Sequence, residues 1–112
     1  MSTLKITAQD AATGPVLRVF GELDYHSASQ LRERVTAAAL RPGQRLTLDL
    51  GGLEFCDSSG INALIAAYQH ASAMRATIAL ASVPAPTLRI LRLTGLDRVI
   101  PLDPGGDATA LG

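Results

Sequence analysis

The sequence is poor in the residues on which disulfides, metal sites and nucleic-acid binding depend. Its single cysteine, Cys56, excludes a disulfide within the chain, which agrees with a reducing cytosol. Cys56, His26 and His70 do not stand at the spacing of a metal site, so we expect no metal and no cofactor. Ten basic and ten acidic residues cancel, and without a basic patch we expect no nucleic-acid partner.

Long apolar segments are absent as well. No run approaches the roughly 18 apolar residues that a membrane span requires, and the first residues lack the basic-then-apolar pattern of a secretion signal. We therefore expect a cytoplasmic protein with no membrane partner. The 112 residues, 47% of them apolar, suit one domain over 1–112, with its core at about 4–102 and a flexible tail at 103–112.

The signatures of common enzymes are also missing. Ser58 lies between Cys56 and Gly60, so the first glycine of a Gly-x-Ser-x-Gly nucleophile elbow is absent. Neither histidine has the context of a catalytic base. No glycine loop of the P-loop or dinucleotide-binding type is present, and Lys5 is the only lysine. These absences argue against a serine hydrolase and against a nucleotide-hydrolysing enzyme.

Two other chemistries have simpler interpretations. Glu22, Asp24 and Asp57 stand at predicted strand ends or helix starts, which parallel strands would bring to one edge of a sheet. Two such acids could serve acid–base chemistry, but capping and solvation explain them more simply. Cys56 could be a thiol nucleophile, but next to Phe55 it is more simply a small buried hydrophobe. The residues therefore favour a binding protein over an enzyme.

What the sequence does contain is a regular succession of strand and helix patterns. Two β-rich runs separated by a turn predict an opening antiparallel pair, with Gly21 ending the second strand. Further strands are expected where alternation recurs, with a break at Gly51–Gly52. The five predicted strands lie at 4–8, 16–20, 46–50, 76–81 and 98–102.

Helical spacing of apolar residues predicts three helices between these strands. Ser27 and Gln30 have the spacing of a capping box, which predicts a first helix over about 27–40. A second helix covers about 61–71, and a third begins near Pro84 and ends at Gly95. On the third helix Leu88 and Leu91 are expected to face inward, with Leu93 as an additional candidate. The order predicts an α/β fold in which a mixed sheet of about five strands packs against amphipathic helices.

Ser58 occupies the most informative position in the chain. It follows an apolar strand-like run and precedes the second helix, where free backbone N–H groups and the helix dipole favour negative charge. This position suits a phosphate, either bound as a ligand or attached to the serine hydroxyl. The alternative is that Asp57 or Ser58 merely caps the helix.

Three segments resemble the bacterial anti-sigma factor antagonists, which are single STAS domains. The segments match in order and spacing, and the alignable region covers about 4–102. Asn62 stands where many relatives carry glycine. The segments are Gly21-Glu22-Leu23-Asp24, the run from Leu48 to Ile61 that contains Asp57-Ser58-Ser59-Gly60, and Leu91-Arg92-Leu93-Thr94-Gly95-Leu96.

The resemblance implies the STAS fold and a partner-switching function. It implies an anti-sigma factor with serine kinase activity as partner, phosphorylation of Ser58 that weakens the complex, and a phosphatase that resets it. It assigns partner contact to Asp24 and to the loop formed by Asp57, Ser58, Ser59 and Gly60. We expect Asp24→Ala to weaken binding with little change in stability. The alternative is a structural STAS subunit of a stressosome-like or lipid-transport assembly without a sigma role.

Overall fold

A computed structural model describes residues 3–102 of the chain, and it confirms the predicted α/β class. Strands and helices follow one another in the predicted order up to the third helix. The strands are β1 (Leu4–Ala11), β2 (Gly14–Leu23), β3 (Arg45–Cys56) and β4 (Thr77–Ala81), and the helices are α1 (Ala28–Ala37), α2 (Ser58–Ala73) and α3 (Ala85–Thr94), followed by a 3-10 helix (Leu96–Arg98). The tail expected at 103–112 lies outside the described residues.

The four strands form one mixed sheet in the order β1-β2-β3-β4. β1 pairs with β2 antiparallel, as expected for the opening pair, while β2, β3 and β4 are parallel to one another. Parallel strands present their carboxyl ends at the same edge of a sheet. The residues that follow β2, β3 and β4 therefore share one edge, which we call the carboxyl edge.

The core lies on one face of the sheet, beneath α1 and α2. Leu17 and Val19 of β2 are fully buried, whereas Arg18 and Phe20, on the opposite face of the same strand, are exposed. This alternation has the period of two that a half-covered strand requires. Inward-facing leucines of β3 complete the core with Leu64 of α2.

Two predicted strand breaks are wrong, because glycine continues both strands instead of ending them. Gly21 lies within β2 at a φ of 96°, where a Cβ atom would meet the carbonyl oxygen of Thr3. Gly51 and Gly52 lie within β3, whose register against β2 shifts near Phe20. The Phe20 ring occupies the space that a side chain at Gly52 would need. At these positions glycine allows neighbouring atoms to approach the backbone closely and allows the strand pairing to bulge. The local sequence does not distinguish these uses of glycine from a turn.

The predicted capping box of α1 is not formed. Ser27 precedes the helix, but its hydroxyl donates to the carbonyl oxygen of Glu22 at 2.7 Å and makes no side-chain cap. The buried hydroxyl thus fastens the start of α1 back to β2. α1 also ends earlier than predicted, at Ala37.

The fifth strand expected at 98–102 is replaced by other structure. Residues Leu96–Arg98 form the 3-10 helix, and only Leu102 makes a single parallel bridge, to Leu80 of β4. The described residues therefore contain four strands rather than five. Leu93 is 80% exposed and does not face inward, whereas Leu91 is buried as predicted. Gly95 ends α3 in the left-handed conformation expected of it.

Candidate functional site

Strand register brings two of the predicted site residues together at the carboxyl edge. Leu23 and Cys56, the last residues of β2 and β3, are directly paired. Asp24 and Asp57 each follow one member of this pair, and neighbouring strands lie only about 4.8 Å apart. The amide of Asp57 donates to the carbonyl oxygen of Leu23 at 3.3 Å, which ties the two strand ends together.

Asp57, and not Ser58, caps α2. Its carboxylate Oδ1 accepts a hydrogen bond from the amide of Gly60 at 3.1 Å, and its backbone is extended, as an N-cap residue requires. Ser58 is the first residue of the helix and is exposed, and its hydroxyl makes no hydrogen bond within 3–102. The hydroxyl of Ser58 is consequently available at a position where the helix dipole favours negative charge.

Gly60 brings the start of α2 close to the sheet. It is buried, and a Cβ atom at this position would lie 2.6 Å from both the Sγ of Cys56 and the carbonyl oxygen of Leu23. Any larger residue would push α2 away from the strand ends. Gly60 thus sets the position of Ser58, while Ser59 beside it is half-buried.

Cys56 has the character of a packed hydrophobe, as the sequence indicates. Burial, together with the neighbouring Asp57 carboxylate, raises the pKa of the Cys56 thiol to about 11. The thiol is therefore protonated at neutral pH, and a protonated thiol is a poor nucleophile.

Asp24 organises the loop between β2 and α1. Its Oδ1 accepts hydrogen bonds from the amides of His26 and Ser27 at 3.0 and 3.1 Å, and it lies 3.2 Å from the Ser27 hydroxyl oxygen, whose proton is donated to Glu22. Its own amide donates to the Ser27 hydroxyl at 3.0 Å. The Asp24 and Asp57 carboxylates thus both accept backbone hydrogen bonds, which supports the capping interpretation of these acids over the acid–base one.

An apolar groove between α2 and α3 opens next to Ser58. Its volume is about 390 Å³. We call it the α2–α3 groove; it is lined by Ser58, Ile61, Asn62 and Ile65 of α2 and by Ile90, Thr94 and Leu96. Leu93 lies one helical turn from Ile90 on α3 and is exposed to solvent. The exposed hydroxyl therefore stands at the mouth of a groove suited to apolar side chains.

The groove residues were not singled out by the sequence, although a signal exists. Ile61 and Ile65 follow Ser58 by three and seven residues, a spacing that places all three on one side of a helix. The contribution from α3 depends on how that helix packs against α2, which helical spacing alone does not predict.

A further hollow among the described residues lies away from Ser58. A larger hollow of about 580 Å³ lies at the opposite edge of the sheet, between the β1–β2 hairpin and the end of α1, far from Ser58. Within 3–102, no group of three His, Cys, Asp or Glu side chains could hold a metal ion. None of the helices in that part of the chain is long and apolar enough to cross a membrane.

The sequence of this chain is similar to a known domain family and to characterised proteins. The profile of a family described as "Mlab, STAS domain" matches residues 6–102. An anti-sigma F factor antagonist from Lysinibacillus sphaericus is 36% identical over 84 residues, which cover 72% of this chain and 70% of that protein.

Solved structures share the fold over most of the chain. An anti-sigma factor antagonist from Mycobacterium paratuberculosis has a TM-score of 0.75 and 27% identity, covering 90% of this chain and 86% of that one. The Bacillus cell fate determinant SpoIIAA in its phosphorylated form has a TM-score of 0.68 and 20% identity, covering 95% of this chain and 97% of that one. The second likeness is one of fold alone.

Proposed function

This chain belongs to the STAS domain family of anti-sigma factor antagonists, and on that premise we propose that it is a phosphorylation-controlled binding protein. Its unphosphorylated form binds an anti-sigma factor that is also a serine kinase, and this binding frees a sigma factor in the cytoplasm. Transfer of the γ-phosphoryl group of ATP to the Oγ of Ser58 weakens the complex, and a phosphatase removes the group again. The chain itself supplies only the acceptor hydroxyl.

The observation that carries this proposal is the division of tasks between Asp57 and Ser58. Asp57 satisfies the free amide of Gly60, so the hydroxyl of Ser58 is not needed to cap α2. Ser58 is exposed, and phosphorylation there would add about −1.5 to −2 charges without entering the core. A negative group in the first turn of a helix is favoured by about 0.3–1 kcal/mol, so the fold tolerates it.

The α2–α3 groove supports the proposal, because it offers an apolar binding surface whose occupation a charge on Ser58 would affect. Ile61 is buried and Ile65 and Ile90 are half-buried along it, while Leu93, one helical turn from Ile90, is 80% exposed. An anti-sigma factor that buries apolar side chains in this groove would pass over Ser58. A phosphate at the mouth would then have to lose its hydration against an apolar partner, which costs free energy.

The remaining loop residues have distinct parts in the proposed contact. Asp24 and Asp57 follow paired strand ends, so a partner seated on Ser58 would also reach Asp24. Ser59 is half-buried beside Ser58 and extends the same contact. Gly60 is buried, so its part is to position the loop.

Two substitutions of Ser58 test the proposal against candidate anti-sigma factor kinases encoded in the same genome. Ser58→Ala should bind the partner and resist release by ATP, whereas Ser58→Asp should stay folded and bind more weakly. Titration calorimetry measures the affinities, and phosphopeptide mass spectrometry of the wild-type chain should place the phosphate on Ser58 and not on Ser59.

Ser72 provides the matched control, because it is an exposed serine near the other end of α2. Ser72→Ala and Ser72→Asp should both bind as the wild type does. Equal affinity of Ser58→Ala, Ser58→Asp and the wild type would favour a structural subunit of a larger assembly. Phosphorylation that persists in Ser58→Ala would contradict the assignment of the modified residue.

A further inference from the structure

The α2–α3 groove contains one polar side chain with no assigned task, that of Asn62. The hydroxyl of Thr94, also on the groove, donates back to the carbonyl oxygens of Ile90 and Leu91 at 2.8 and 3.2 Å, so its proton is already engaged. Asn62 is exposed, and its side-chain amide makes no hydrogen bond within the described part of the chain. An amide NH₂ group with two free donors therefore faces the same groove as Ser58.

Asn62 and Ser58 are neighbours on the surface of α2. They are four residues apart, a spacing that puts Cβ atoms about 5–6 Å from each other on one helix face. Side chains of a helix lean toward its N-terminus, so the Asn62 amide leans toward Ser58. A phosphoryl group on the Oγ of Ser58 would lengthen that side chain and bring its oxygens within reach of the amide.

The opposite side of Ser58 is less suitable for a phosphate. Asp57 places a carboxylate there, and that carboxylate already accepts the hydrogen bond from the Gly60 amide. A phosphate dianion is repelled by this carboxylate and cannot use the donor that Asp57 has taken. Both effects direct the phosphate toward the groove and toward Asn62.

We propose that Asn62 is a positioning residue that holds the phosphoryl group of Ser58 across the mouth of the α2–α3 groove. The inference rests on the proposed phosphorylation of Ser58. Its consequence is that the modified chain closes its own docking surface: the phosphate is fixed over the entrance to the groove, where an apolar partner would enter, instead of moving freely in solvent.

The test uses the complete chain with phosphoserine installed at position 58 during translation, so that no kinase is required. Wild type, Asn62→Ala and Asn62→Asp are each prepared with serine and with phosphoserine at position 58. Gln69→Ala is the control, because Gln69 is an exposed amide on the same helix outside the groove. Denaturant unfolding measures how phosphorylation changes the folding equilibrium constant of each variant, and NMR follows the side-chain amide signals of Asn62.

We expect the Asn62 side-chain signals to shift on phosphorylation while those of Gln69 stay in place. Asn62→Ala should reduce the effect of phosphorylation on the folding equilibrium constant by about threefold to tenfold, the size of one hydrogen bond. Asn62→Asp should reduce it further, because a carboxylate repels the phosphate, and Gln69→Ala should leave it unchanged.

Unshifted Asn62 signals, together with equal effects of phosphorylation in wild type and Asn62→Ala, would overturn the inference and place the phosphate on the backbone amides of the first turn. That result would leave the proposed function intact. The proposed function fails by a different measurement, namely equal partner affinity of the chains with serine and phosphoserine at position 58.

Discussion

At the scale of single residues, the site depends on which of two adjacent side chains caps α2. The sequence leaves Asp57 and Ser58 as equal candidates, because both residue types are favoured N-caps. The structure assigns the cap to Asp57 through its bond to Gly60, and the choice follows from the extended backbone at Asp57 and the helical backbone from Ser58 onward. Local backbone geometry of this kind is set by how α2 packs on the strand ends, which residue preference alone does not contain.

Asp24 contributes more to stability than the sequence indicates. Because its carboxylate accepts two backbone hydrogen bonds at the start of α1, Asp24→Ala should lower the free energy of unfolding by about 0.5–2 kcal/mol, and not leave it unchanged as a surface position would. Urea denaturation measures this loss. Glu22→Ala is the control, since Glu22 is an exposed acid whose side chain makes no hydrogen bond within 3–102.

Asp24→Asn separates capping from charge at the same position. The asparagine side chain keeps an oxygen acceptor for the amides of His26 and Ser27, so most of the stability should remain. A partner affinity that falls equally in Asp24→Asn and Asp24→Ala would assign the binding contribution to the charge. Loss in Asp24→Ala alone would assign it to the shape of the loop.

Cys56 gives a prediction about pH. Burial and Asp57 raise the pKa of the thiol from 9.0 to about 11, so below pH 9 the folded chain should react with iodoacetamide about 100-fold more slowly than the urea-unfolded chain at the same pH. The raised pKa stabilises the folded state fully below pH 9, and that contribution is lost as the pH rises toward 11. Equal alkylation rates for folded and unfolded chains at pH 8 would show that the thiol is not shielded.

At the scale of secondary-structure elements, the sequence predicts kinds and order better than ends. All three helices and the first four strands are found, because their apolar spacing is sustained over several residues. The errors fall on Gly21 and Gly51–Gly52, where pairing between β2 and β3 continues through residues that locally signal a stop. The prediction of a fifth strand is wrong because a segment with a strand-like pattern begins instead in the 3-10 helix that follows Gly95. Only Leu102 then pairs with the sheet.

The outer edge of β1 is protected by α1, and this contact can be tested. The Nη1 of Arg34 donates to the carbonyl oxygen of Ile6 at 3.0 Å, which occupies a backbone group at a strand edge that could otherwise pair with another chain. Arg34→Ala should lower the free energy of unfolding by about 0.5–1.5 kcal/mol in urea denaturation. Arg32→Ala, at an exposed position on the same helix, should change it by less than about 0.5 kcal/mol.

At the scale of the whole molecule, the proposed switch acts on a surface while the core stays as it is. Ser58 is exposed and the buried leucines of β2 and β3 lie beneath α1 and α2, so phosphorylation changes charge without changing packing. We expect changes in backbone amide chemical shifts to be confined to the loops of the carboxyl edge and to the α2–α3 groove. Comparable changes near the β1–β2 hairpin, at the opposite edge, would indicate that the phosphate reorganises the whole sheet.

The contact between Phe20 and Gly52 on the exposed face of the sheet limits which residues can replace them during evolution. Since the Phe20 ring fills the space above Gly52, a side chain at position 52 requires the ring at position 20 to move aside or to be replaced by a smaller residue, whereas glycine at position 52 tolerates a smaller residue at position 20. Among descendants of a common sequence, an aromatic residue at position 20 should therefore accompany glycine at position 52, and a larger residue at position 52 should accompany a smaller residue at position 20. The two positions should therefore vary together, although they stand thirty-two positions apart along the chain.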